Sequence, residues 1–304
     1  MREEMPAVIA LGAIFAVCIV GGIAVSAFYP PEYRAFGQET DNPLNSVLYI
    51  LLILAFTGGI LYAVKKGGRK AIKALFLGIT GFTVYYVLAP VFAQAVLLEA
   101  AEGAALVVAV GMTWALWKYP EWYVIDSAGV LMCIGLAAIL GISFGILPAL
   151  LLLAMLAVYD AIAVYQTKHM IALADTVMSE SLPIMFVMPK HWDYSFLVKR
   201  RTLKEQIAAG ERRDALFMGF GDVVIPGALV VSAYYWLPAD PAFGGMGGNL
   251  ALALITLLGG VVGFALLMRA VLKGNPQAGL PLLNGGTIAA FIVGSFAVYG
   301  TLVL

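Results

Sequence analysis

Residues 145–165 read GILPALLLLAMLAVYDAIAVY, a run of twenty-one residues in which Asp160 is the only charge. A 30 Å hydrocarbon layer crossed at about 1.5 Å per residue takes about 20 mostly apolar residues, so this stretch is read as a membrane-spanning helix with a carboxyl group inside it. Eight more stretches satisfy the same test, at about 7–28, 44–64, 71–97, 101–117, 124–144, 215–236, 250–272 and 280–304. Gly141, Gly145 and Pro148 mark the turn between the fifth and sixth. Apolar residues make up 62% of the 304 and charged residues 12%, far from the quarter or so of charged residues usual in soluble domains. The fold class expected is therefore all-α, a polytopic membrane protein with nine transmembrane helices. Residues 1–165 form a six-helix membrane region, residues 166–214 a polar loop and residues 215–304 a three-helix membrane region.

Net charge is zero, so the total suggests no nucleic-acid partner, and the placement of charge is what can be read. With nine spans, Arg2, the Lys65–Lys73 group, Lys118, the basic residues of 166–214, Arg269 and Lys273 all fall on one side, leaving Arg34 on the other. The positive-inside rule then sets the N-terminus in the cytoplasm and the C-terminus outside. The first apolar run is longer than that of a secretory signal and is read as a retained helix. Within the loop, Lys199-Arg200-Arg201 reads as a solvated or headgroup-facing run, and the apolar stretch Leu182 to Met188 as a segment docking at the membrane surface. Cys18 and Cys133 sit in apolar runs, which indicates neither a disulfide framework nor a thiolate metal site.

A charge deep in a span costs at least about 2.5 kcal/mol, so it asks for a partner or a function. Asp160 and Asp222 are the two that stand deep; Asp126, Glu99 and Glu102 read as interfacial or helix-end residues. Asp160 lies about 8 Å and Asp222 about 10 Å from the cytoplasmic end of their antiparallel spans, at helical rise, so the two match in depth. Close carboxyls in a low dielectric share one proton. One can then deprotonate water while the other polarises a peptide carbonyl and protonates the leaving amine. The same two buried acids also suit a proton relay in a proton-coupled transporter or ion-conducting protein, and these residues alone leave both readings open.

Three motifs break the tie by resemblance. Val158-Tyr159-Asp160, followed by Ala161-Ile162-Ala163-Val164, resembles the YD motif of the sixth helix of presenilins and signal peptide peptidases. Gly219-Phe220-Gly221-Asp222 matches the GxGD motif of their seventh helix, and Leu280-Pro281-Leu282-Leu283 resembles their PAL motif. Motif order, span numbers and the intervening loop agree across nearly the whole chain, which looks like a minimal, prokaryotic or archaeal, relative. The resemblance implies an aspartyl protease acting inside the bilayer on transmembrane helical substrates, with Asp160 and Asp222 as the catalytic pair. Tyr159, Gly219, Phe220, Gly221, Pro281, Leu282 and Leu283 belong to the motifs and the substrate cleft, and no cofactor is implied. Two positions depart from the family: Leu282 stands for the alanine of PAL, and Asn284 for the proline that often follows.

Other hydrolytic chemistries fail on their bases. Gly141-Ile142-Ser143-Phe144-Gly145 matches G-x-S-x-G, but His169 and His191 both fall in the cytoplasmic loop while Ser143 is near the outer face. No H-E-x-x-H occurs, and two loop histidines do not complete a zinc site.

Overall fold

The computed structural model describes residues 4–65, 69–167, 183–190, 195, 215–273 and 277–304. His169, His191 and Lys199-Arg200-Arg201 lie outside the described residues. The helices are α1 (Met5–Ser26), α2 (Leu44–Lys65), α3 (Arg69–Phe92), α4 (Leu98–Lys118), α5 (Trp122–Ser143), α6 (Ile146–Ile162, continued by a π turn Ala163–Thr167), α7 (Gly221–Trp236), α8 (Gly248–Val271) and α9 (Gly279–Tyr299). Among the described residues, seven of them, α1, α3, α4, α5, α6, α8 and α9, are long and apolar enough to cross a bilayer.

The all-α expectation needs one correction. Met185–Pro189 (β1) and Ala215–Gly219 (β2) form a two-stranded antiparallel sheet, with Val187 opposite Phe217 and Met185 opposite Gly219. The seventh expected span, 215–236, is therefore a strand followed by a sixteen-residue helix. An uninterrupted apolar run has no period that separates strand from helix, and the glycines around Phe220 permit the change of conformation between them. Of the described residues of Leu182 to Met188, Phe186 and Val187 are buried, while Ile184, Met185 and Met188 are half-buried. Strand pairing satisfies backbone groups that apolar surroundings would otherwise leave unpaired.

The chain separates into two compact units that do not follow sequence order. The first contains the described residues of Met1–Leu11, Ile53–Met132 and Thr167–Phe220. In it α3 packs on α4, and the small sheet rests on α5 through Ile125, Ala128, Val187 and Ala215. A methyl group on Gly129 would run into the rings of Phe220 and Phe186, which themselves meet at 4.7 Å between centroids. Asp126, expected at an interface or helix end, is buried, and its Oδ1 accepts the Val187 N–H at 2.8 Å.

The second unit contains Gly12–Leu52, Cys133–Gln166 and the described residues of Gly221–Leu304. Here α6, α7 and α9 each touch the other two, and α8 lies against α7 and α9. The α8–α9 contact is close because both sides lack bulk: Gly259 faces Gly286 and Ala290, and Gly263 faces the Leu282 carbonyl. The turn into α6 is tied down by the Gly145 N–H donating to the Thr40 carbonyl and by Asp41, whose carboxyl occupies the place of a Gly145 side chain. Ser143, the serine of G-x-S-x-G, is fully buried; it donates to Ile139 O at 2.6 Å and accepts the Ala35 N–H at 2.8 Å, a corner post of the turn.

Candidate active site

Asp160 stands in the last turn of α6, with 5% of its surface exposed. Its Oδ2 accepts the Leu280 N–H at 3.0 Å, and its carboxyl also accepts the Gly279 N–H. These are among the first N–H groups of α9, which have no partner within their own helix. The residue before α9, Ala278, has no side chain able to cap them, so Asp160 does it from another helix. A carboxyl at this position also meets the positive end of the helix dipole.

Asp222 is half-buried in the first turn of α7. A methyl group on Gly279 would lie 3.3 Å from its Oδ1 and 3.5 Å from its Oδ2. The two expected catalytic residues thus converge on one dipeptide, Gly279-Leu280, Asp160 through its N–H groups and Asp222 against its open Cα face. The depth arithmetic needs revising, because five of the residues counted at helical rise are strand, where the chain advances about 3.3 Å per residue. The helices that carry the two aspartates, α6 and α7, pack against each other and against α9.

The remaining motif residues divide between the units. Tyr159 is half-buried on α6. Pro281 is in the first turn of α9, where a missing N–H breaks no helical bond. Leu282 is half-buried, with its carbonyl against Gly263, and Leu283 is fully buried. Asn284, the second departure, is buried and donates from Nδ2 to the Leu153 carbonyl of α6 at 2.9 Å, fastening α9 to the helix that holds Asp160. In the first unit, Gly219 ends β2 opposite Met185, and the buried Phe220 donates its N–H to Ile184 O. Gly221 opens α7, and a side chain there would meet nothing within 4 Å.

Tyr165 and the segment Gln277-Ala278-Gly279 belong to this neighbourhood but to none of the motifs. Tyr165, in the π turn after α6, places its hydroxyl 3.0 Å from Gln277 Oε1 and 3.5 Å from the Ala278 nitrogen. Together with Asp160 it holds residues 277–280 at two points. Gln277-Ala278-Gly279 carries no charge and no motif, so the only signal for its importance was its position just before Leu280-Pro281. Among the described residues no group of three or more His, Cys, Asp or Glu is placed to hold a metal ion.

Known proteins resemble the chain over nearly its whole length. The family model described as "Signal-peptide peptidase, presenilin aspartyl protease" matches residues 12–299. Two solved structures, each of a presenilin family intramembrane aspartate protease, in space groups C222 and P2, are 33% and 34% identical. Each alignment covers 95% of this chain, with 99% and 97% of the relatives' chains and TM-scores of 0.69 and 0.66. Among curated proteins, none matches.

Proposed function

The chain belongs to the signal-peptide peptidase and presenilin family of intramembrane aspartyl proteases, and we propose that Asp160 and Asp222 are the pair that performs its hydrolysis. The observation that carries the assignment is the convergence of both carboxyls on Gly279-Leu280. One aspartate, as carboxylate, takes a proton from water as the water oxygen attacks the peptide carbonyl carbon. The other, as the acid, donates its hydrogen to the carbonyl oxygen, giving a gem-diol. As the C–N bond breaks, the first aspartate passes the proton it took from water to the leaving amine and the second takes a hydroxyl proton back from the diol, which restores the pair with its one shared proton. The transporter alternative has no support from the fold or the relatives.

The protein is an integral membrane protease, and family members cleave transmembrane substrates within the bilayer. For this chain we read the substrate as a transmembrane helix that unwinds before it is cut. Exposed backbone groups cost several kcal/mol each in hydrocarbon, so the enzyme must pair them. The strand β2, ending three residues before Asp222, supports the reading that the substrate is held extended. Pro281 fixes the backbone of the first turn of α9 beside Gly279-Leu280 and offers no N–H of its own to compete with the substrate for partners.

We read nine crossings, α2 and α7 being added to the seven helices that are long and apolar enough among the described residues. Sixteen residues of α7 give about 24 Å, and the five of β2 about 16 Å more. With the basic loops inside, the N-terminus is cytoplasmic and the C-terminus outside. The six-helix region (residues 1–165) and the three-helix region (residues 215–304) then each supply one aspartate, joined by the cytoplasmic loop of residues 166–214.

The test is cleavage of a model transmembrane peptide by purified wild type, Asp160→Ala, Asp222→Ala and the double variant. Each single change is expected to abolish cleavage, the losses not adding because the pair acts as a unit. Wild-type activity is expected to follow a bell-shaped pH curve, since the doubly ionised and doubly protonated pairs each lack one role. Near-full cleavage by either single variant would remove the assignment.

A further inference from the structure

The first unit holds a cavity of about 570 Å³ between α3 and α4, within the range of sites that take ligands of lipid-chain size. Gly78 and Gly81 indent its floor, and Leu77, Tyr85, Trp114 and Trp117 are among its walls. Its wall is almost wholly apolar, and the hydroxyl of Thr113, one of the lining residues, is already spent on the Ala109 carbonyl of its own helix at 2.8 Å. Water has few partners in such a space, so hydrocarbon is the fitting occupant.

One end of this groove is charged. The two helices run antiparallel, joined by the short link 93–97, so the start of α3 and the end of α4 are at the same level. Lys73 lies one helical turn before Leu77, and Lys118 one turn after Trp114, each on the face of a lining residue. Trp114, Trp117 and Tyr119 supply at that level the amphipathic rings typical of a membrane interface. The nearby acid Glu121 is engaged, accepting the Ser195 hydroxyl at 2.7 Å. A basic end on an apolar cleft between membrane helices is complementary to an anionic lipid headgroup with its chain below.

We propose that the α3–α4 groove binds one acyl chain of an anionic phospholipid, with the lipid phosphate held by Lys73 and Lys118. The lining residues all belong to the first unit and none is a motif residue, so the proposal does not depend on the catalytic assignment. The orientation proposed above decides only which leaflet supplies the lipid.

The experiment is native mass spectrometry of the full chain, released from nanodiscs of equal palmitoyl-oleoyl phosphatidylglycerol and phosphatidylcholine. Wild type is expected to retain one phosphatidylglycerol in preference to phosphatidylcholine. A side chain at Gly78 starts in open space, so Gly78→Leu adds bulk at a residue that lines the groove, and it is expected to lose the retained lipid. Lys73→Gln with Lys118→Gln should keep a lipid but lose about thirty-fold of the preference for the anionic one. Cleavage of a transmembrane peptide checks that the variants are folded, and the lysine pair serves if Gly78→Leu is not. Equal retention of the two lipids by wild type, undiminished phosphatidylglycerol in folded Gly78→Leu, or an unchanged preference in the lysine variant would overturn the proposal. So would a protein subunit found on this face in native membranes and excluding lipid from it.

Discussion

Gly279 has only hydrogen atoms where other residues carry a side chain, and that is what allows Asp222 to lie against α9 while Asp160 takes its N–H groups. Its replacement by alanine puts a methyl 3.3 Å from Asp222 Oδ1, tighter than ordinary packing, with no change needed in the backbone. The neighbour that must give is the carboxyl that the reaction needs in place, and small misplacements of reacting groups cost up to about a hundred-fold. Gly279→Ala is expected to lower kcat about ten- to hundred-fold with KM little changed; a kcat within two-fold of wild type would show that Asp222 is not held there for catalysis. Asp126 makes a different argument at the same scale, since its Oδ1 is a hydrogen-bond partner of the buried Val187 N–H. Asp126→Leu strands that N–H and is expected to cost about 1–3 kcal/mol in thermal or denaturant unfolding. Wild-type stability in that variant would mean another group satisfies Val187. The sequence alone reads Asp126 as a residue of the helix end because its partner is 61 positions away on a strand with no visible signature.

At the scale of elements, the sheet has one edge closed and one that invites extension. The Phe220 N–H donating to Ile184 O identifies Ile184 and Phe220 as a hydrogen-bonded pair, so alternation makes Phe186 with Met218 another, while Val187 with Phe217 is a non-bonded pair. On β1 the outward Val187 N–H is taken by Asp126, and Pro189 has none to offer, so that edge is blunted. The Phe217 N–H points to the other edge, that of β2. Phe217→Pro removes this outward donor while leaving the bonds to β1, and is expected to reduce kcat/KM for a transmembrane peptide at least ten-fold. Unchanged cleavage, with the variant folded, would exclude strand addition at β2. The helices are legible in the sequence because hydropathy over about 20 residues is a strong signal, and the aspartates because charge in such runs is costly. The strand is not. ALFMG ahead of Gly221-Asp222 has neither alternation nor charge, so only its distant partner MFVMP makes it a strand. Residues 277–279 are invisible in the sequence for a related reason: their role comes from which helix end they begin and from the carboxyls brought to them by α6 and α7.

For the whole molecule, the position of the cut follows from which ends of the helices hold the acids. Asp160 is in the last turn of α6 and Asp222 in the first turn of α7, so both lie at the helix ends that flank the segment between them. That segment, 166–214, carries Lys168, Lys190, Lys199, Arg200, Arg201, Lys204, Arg212 and Arg213, the largest share of the basic residues. Under the positive-inside rule this is the cytoplasmic side, and it orders the other loops consistently, with Arg34 alone outside. In the orientation proposed above, a substrate held beside the pair is therefore opened in the half of its span nearer the cytoplasm. Helix-loosening glycines placed there should speed cleavage, because each removes about 1 kcal/mol of the helix stability that unwinding must overcome. Pro281→Ala should slow it with Asp160 and Asp222 unmoved, since alanine frees the φ angle that proline fixes in the first turn of α9 and adds an N–H beside Gly279-Leu280. Mass spectrometry of the products from a substrate of known orientation in vesicles measures the position directly. Cuts in the cytoplasmic half that shift toward an inserted glycine pair are the expected result; cuts clustered at the outer end would mean that the basic loops face the other way or that the aspartates are not the site of hydrolysis.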